Sequence, residues 1–102
     1  EGIVRTSWLT SYRRGTPKTV IRGVHPVLWA YFQFAVKPAS SRARFTVIWI
    51  APSGRRFGGV VGPYVPRFES FHNERRLAYG TWTAKLYSRG RLMSVARITI
   101  KR

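Results

Sequence analysis

Gly80-Thr81-Trp82-Thr83-Ala84-Lys85-Leu86-Tyr87 decides the fold class. Trp82, Ala84 and Leu86 alternate with Thr81, Thr83 and Lys85, and side chains two apart share a face only in an extended strand. Ser88-Arg89-Gly90-Arg91 then supplies turn residues, and Leu92 to Lys101 resumes the alternation with Ala96, Ile98 and Ile100 against Arg97, Thr99 and Lys101. The pair reads as a hairpin that ends the chain. Upstream, Arg44 to Ile50 places Phe45, Val47 and Trp49 on one face before an Ala51-Pro52-Ser53-Gly54 turn. Val27 to Val36 is apolar on both faces, with Leu28, Ala30, Phe32, Phe34 and Val36 on one side and Trp29, Tyr31 and Gln33 on the other.

The remaining segments carry weaker signals. Ile3 to Thr10 reads as a strand, and Lys18 to Val24 as another after the Arg13-Arg14-Gly15-Thr16-Pro17 turn. Val60 to Phe71 contains Pro63 and Pro66, which suits an edge strand or a loop, because proline cannot donate to a ladder. Gly and Pro recur every 8 to 12 residues, and no segment has helical spacing. Together these features predict an all-β chain: a single antiparallel β-sandwich of about seven strands over residues 1–102, favoured over a barrel.

Trp49-Ile50-Ala51-Pro52-Ser53-Gly54, the Gly80 to Leu86 strand, Gly90-Arg91 and the Ile98-Thr99-Ile100 ending together resemble the immunoglobulin-like domains of exported bacterial proteins. The match covers residues 44 to 100, and the first forty residues fit only as generic strands. The resemblance implies an immunoglobulin-like sandwich in which Trp49 and Trp82 pack across the interior and Gly54 and Gly90 take positive φ. It also implies a secreted or surface-displayed module without catalysis, used for adhesion, spacing, assembly or ligand capture. Such domains are usually less basic than this one.

Composition narrows the chemistry. Among 102 residues, 19 Lys and Arg face 3 Asp and Glu, a formal charge of +16. No cysteine is present, which excludes disulfides, a thiol nucleophile and cysteine-based zinc sites. Asp is absent, and Glu1, Glu69 and Glu74 are too few for a carboxylate metal cage or a spread catalytic dyad. The sequence predicts no cofactor, no metal and no enzyme. No apolar run is long enough to cross a membrane as a helix, and the start at Glu1 reads as a processed, exported form, hence extracellular or at the cell surface.

Fifteen of the basic residues are Arg, which fits a polyanion partner: an anionic glycan, a cell-wall polymer or nucleic acid. The candidates are Arg13, Arg14, Arg55, Arg56, Arg67, Arg75 and Arg76, expected in turns or loops and mostly beside an aromatic residue. The outward side of the Val27 to Val36 strand leaves Trp29, Tyr31 and Trp8 as surplus aromatic surface. With Ile3 and Val4 these define a self-association surface, and residues 1–12 are a candidate strand-exchange segment for a homo-oligomer. The expected function is a structural or adhesive subunit with a basic, polyanion-binding exterior. Its rival is a small nucleic-acid-binding β-protein using the same arginines, and a carbohydrate-binding accessory module is a third option.

His72, within Glu69-Ser70-Phe71-His72-Asn73-Glu74, is the one place where His and carboxylates cluster. It reads as a loop with ordinary solvated side chains, or with a Glu pairing with Arg75 and Arg76, rather than as a metal or acid/base site. His25 reads as a turn histidine, Phe57-Gly58-Gly59 as a hairpin connection, and no serine sits in a nucleophile elbow.

Overall fold

The structure is a computed structural model and describes residues 2–102, Val60 through its backbone alone; Glu1, counted above among the acids and in the 1–12 segment, lies outside the described residues. Among the described residues eight strands form, against an expectation of about seven: β1 (Ile3–Thr10), β2 (Val20–Arg22), β3 (Val27–Val36), β4 (Arg44–Ile50), β5 (Arg56–Pro63), β6 (Arg67–Asn73), β7 (Gly80–Ser88) and β8 (Arg91–Lys101). A three-stranded sheet in the order β1-β3-β6 packs on a five-stranded sheet in the order β2-β8-β7-β4-β5. This is the all-β sandwich that the alternation requires, since each sheet has one apolar face to bury.

The inward residues are those that the period of two selects. Leu28, Ala30, Phe32 and Phe34 of β3 face Phe45, Val47 and Trp49 of β4 and Trp82, Ala84 and Leu86 of β7, all buried. Phe45 makes edge contacts to Phe34 and Phe68 on the opposite sheet, with ring centroids 5.1 and 5.8 Å apart. Trp49 and Trp82 lie on the same sheet, and each fills the space between the layers. Ala84 stands in register beside Trp49, and its small side chain leaves room for the indole. Gly54 and Gly90 have φ of 91° and 76°, as their turns require. Arg89 (φ 53°) and Gly90 form a two-residue left-handed connection whose twist matches that of the β7–β8 ribbon.

Several sequence expectations are corrected. Val60 to Phe71 is neither one strand nor one loop. The chain changes sheets between Pro63 and Arg67, so β5 and β6 each become an edge, where proline is tolerated. Phe57-Gly58-Gly59 is not a connection but the body of β5, whose pairing with β4 shifts register between Thr46 and Ile48. Lys18 to Val24 shortens to β2, which pairs parallel to β8, so the sandwich is not wholly antiparallel. Val36 leaves the core: it pairs with Ile3 at the end of the sheet, and the two are 50% and 58% exposed.

The N-terminal segment is joined to both sheets. β1 pairs with β3, and Ser7 Oγ donates to the Val95 carbonyl of β8 (3.1 Å) while Ser94 Oγ donates to Ser7 Oγ (2.9 Å). After the 11–17 turn, β2 lies along β8, held by Thr99 N–H to Thr19 C=O (2.9 Å) and Gly23 N–H to Lys101 C=O (2.8 Å).

Candidate polyanion face and aromatic face

Strand order, rather than sequence adjacency, assembles the basic surface. On the outer side of the five-stranded sheet, Arg97 of β8, Thr83 of β7, Ile50 of β4 and Arg56 of β5 stand in one row across four strands. Lys85 opens the next row beside Ile48, and Tyr87 lies beyond it next to Thr46. Neighbouring strands are about 4.8 Å apart and alternate residues about 6.8 Å, so Arg97 and Arg56 stand roughly 14 Å apart, with Lys85 roughly 8 Å from Arg97. No Asp or Glu occurs anywhere in β2, β4, β5, β7 or β8. The field above this face is therefore uncompensated by its own strands, the condition under which a flat surface attracts extended anions. Sequence adjacency pointed to the Arg pairs and passed over Lys85 and Arg97. The signal was present in the alternation that sets both opposite the core positions.

The predicted arginines disperse. Arg56 and Arg67 begin strands rather than lying in loops, and only Arg56 belongs to the row just described. Arg55 leans on Phe57, its guanidinium carbon 5.1 Å from the ring centroid. Arg75 and Arg76 follow β6, and Arg76 approaches Tyr79 at 5.7 Å, an aromatic neighbour that lies three residues on. Arg14 has φ 62° and donates its backbone N–H to the Tyr31 hydroxyl (2.5 Å).

Arg13 and Arg67 join the aromatic residues on the other face. On the outer side of the three-stranded sheet, Trp8 stacks on Tyr31 (centroids 5.4 Å) and Trp29 packs on Phe71 (4.9 Å). Arg67 lies 5.6 Å from the Trp8 centroid and Arg13 lies 5.5 Å from that of Trp29. Arg13 also pairs with Glu69 at 3.0 Å. Tyr31, expected as outward aromatic surface, is buried instead. The 11–15 turn folds over it, Trp8 Nε1 donates to the Gly15 carbonyl (3.1 Å), and Tyr31 is left 2% exposed. Burial pushes its hydroxyl above the ordinary tyrosine range, and nearby Glu69 adds to the rise, while the Arg14 N–H and the Arg13 charge oppose it. Trp8 and Trp29 remain half-buried, Val4 is half-buried, and Ile3 is exposed. The 1–12 segment, as far as it is described, pairs with β3 of its own chain.

His72 lies in β6 rather than in a loop, and Glu69 pairs with Arg13 and Glu74 with His72 rather than with Arg75 or Arg76. Its Nε2 bonds Glu74 Oε2 at 2.7 Å, and its ring is enclosed by Phe57, Trp82 and Trp49 at 4.3, 5.3 and 6.0 Å. The enclosure closes the end of the sandwich, next to the pocket of about 210 Å³ bordered by Arg55, Phe57, Glu74 and Trp82. His25 bonds the Arg22 carbonyl at 2.7 Å. Among the described residues no three His, Asp or Glu side chains gather as a metal site, and no helix is long and apolar enough to cross a membrane.

No protein-family model matches the chain, and no curated protein matches it in sequence. In structure it is similar to an immunoglobulin-like protein from Pseudomonas aeruginosa, at a TM-score of 0.63 and 12% identity over 98% of this chain and 96% of that one. The fold is thus immunoglobulin-like.

Proposed function

We propose that the chain is a non-enzymatic extracellular module of structural or adhesive type that binds acidic polymers through the outer face of its five-stranded sheet. The observation that carries this reading is the absence of any carboxylate on the five strands, with Arg56, Lys85 and Arg97 arrayed across them. At +16 any polyanion will adhere at low salt, so affinity alone decides nothing. The deciding comparison is positional. Arg56→Gln, Lys85→Gln and Arg97→Gln together remove three charges from the face, and Arg14→Gln, Arg75→Gln and Arg76→Gln remove three elsewhere. On immobilised heparin at 0.15 M salt the first set is expected to weaken binding at least tenfold and the second less than threefold. Equal losses would make the binding a matter of net charge and sink the assignment. Single-stranded DNA as competitor separates the nucleic-acid reading, which requires it to displace heparin at comparable charge concentration.

Self-association is a second reading. It is favoured by the opening between the starts of β1 and β8, about 330 Å³, where Ile3 and Leu92 are 58% and 48% exposed beside Val4 and Met93. Light scattering at low salt and at 1 M salt tests it, since contacts made by apolar side chains persist when charge is screened. A monomer in both conditions counts against it.

A further inference from the structure

We infer that the outer face of the three-stranded sheet is a second, separate binding site, built for the pyranose rings of an uncharged polysaccharide. Phe71 is 47% exposed on this face, and it rests against Trp29 opposite it on β3. A sugar ring needs such a surface, because one side of it is a patch of C–H bonds ringed by hydroxyls that are at once donors and acceptors. The polar groups that border Phe71 are of the matching kind. Two residues back along β6 stands Glu69, its carboxylate held by Arg13, and two residues onward stands the Asn73 amide. Arg13 is fixed from two sides, by Glu69 at 3.0 Å and by Trp29 at 5.5 Å, so its planar donors are oriented before a ligand arrives.

The carboxylate decides the class of ligand. Glu69 is the one acid on either sheet face among the described residues, and it cancels the Arg13 charge beside the ring it borders. A phosphate or sulfate would meet a carboxylate there, whereas a hydroxyl finds an acceptor and a donor in fixed positions. The two sheets present their outer faces to opposite sides of the molecule, so this site and the basic face can be tested apart.

The experiment is depletion of the protein from solution by insoluble chitin, cellulose and xylan in 1 M NaCl, where charge is screened within roughly 3 Å. Retention is expected on at least one of the three, with the tryptophan fluorescence of the wild type shifting on titration with the soluble tetrasaccharide of that polymer. Phe71→Ala is expected to reduce retention at least tenfold, Glu69→Ala at least threefold, and Phe71→Tyr to keep it. Both Glu69→Ala and Phe71→Tyr change exposed or half-exposed side chains, so they report even if Phe71→Ala folds poorly. Passage of the wild type through all three polymers at 1 M NaCl overturns the inference, as does undiminished retention of a folded Phe71→Ala or of Glu69→Ala. Failure here leaves the heparin comparison untouched, because that depends on the opposite face and on charge that 1 M salt screens.

Discussion

Trp49 on β4 donates its indole N–H to the hydroxyl of Ser70 on β6, 3.1 Å away across the sandwich, and both residues are buried. The bond ties the two sheets together in the buried interior. Ser70→Ala leaves that N–H without a partner in a place water does not reach. The expected loss of stability is about 1–3 kcal/mol in a urea titration. Adding Trp49→Phe, which removes the donor as well, is expected to cost less than the sum of the two single changes. Additivity would show that the bond contributes nothing of its own.

Of the glycines in β5, Gly59 lies nearest a neighbouring strand's backbone, where β5 shifts register against β4. A Cβ there would run into the Val47 carbonyl, whereas one at Gly58 would meet nothing within 4 Å. Gly59→Ala is expected to destabilise by about 3 kcal/mol or to prevent folding, and Gly58→Ala to change stability by less than about 1 kcal/mol. Thermal melts of the two variants side by side check the contrast.

Tyr31 makes the fold sensitive to alkali. Its hydroxyl titrates at a higher pH when folded than when unfolded, so the stability linked to it is complete below the unfolded value near 10 and is lost as pH rises through the raised folded value. Between pH 9 and 12 the wild type is therefore expected to lose stability more steeply than Tyr31→Phe, the difference isolating this one group from the other titrating residues. Parallel slopes would remove Tyr31 as the cause.

The salt dependence of polyanion binding should register the same positions as the heparin comparison. With duplex DNA as probe, each contacting cation adds about 0.9 to the steepness of log affinity against log salt. Removing Arg56, Lys85 and Arg97 is expected to flatten that slope by about 2 to 3, and removing Arg14, Arg75 and Arg76 by less than about 1. A slope unchanged by the first set would show that these side chains do not touch the polymer.

The parts of the fold legible in the sequence are those where alternation is unbroken. Residues 44–50 and 80–101 declare both their strands and their buried faces, because one face of each is apolar and a register slip would expose it, whereas 27–36, apolar on both faces, declares its strand but not the burial of Tyr31 or the exposure of Val36. β5 and β6 were obscured because Gly58, Gly59, Pro63 and Pro66 erase the alternation over the segment where the chain changes sheets. The parallel seat of β2 depends on where β8 ends, and no local pattern records that. The candidate faces were harder still. Arg13 and Arg14 are adjacent in sequence, yet one side chain joins Glu69 and Trp29 while the other residue serves Tyr31 through its backbone. Arg56, Lys85 and Arg97 are far apart in sequence and become neighbours only through the strand order.

The parallel seat of β2 on β8 gives the molecule a direction of mechanical strength. The chain enters β2 at one end of this pair and leaves β8 at the other, with hydrogen bonds at Thr99 and Gly23 closing the seam. Tension drawn along the chain through these two strands slides them past each other, so the bonds of the seam resist together. An antiparallel pair pulled from its adjacent ends would instead open one bond at a time, like a zip. Val20 to Arg22, three residues long, would under such a pull part from β8 as one unit rather than residue by residue.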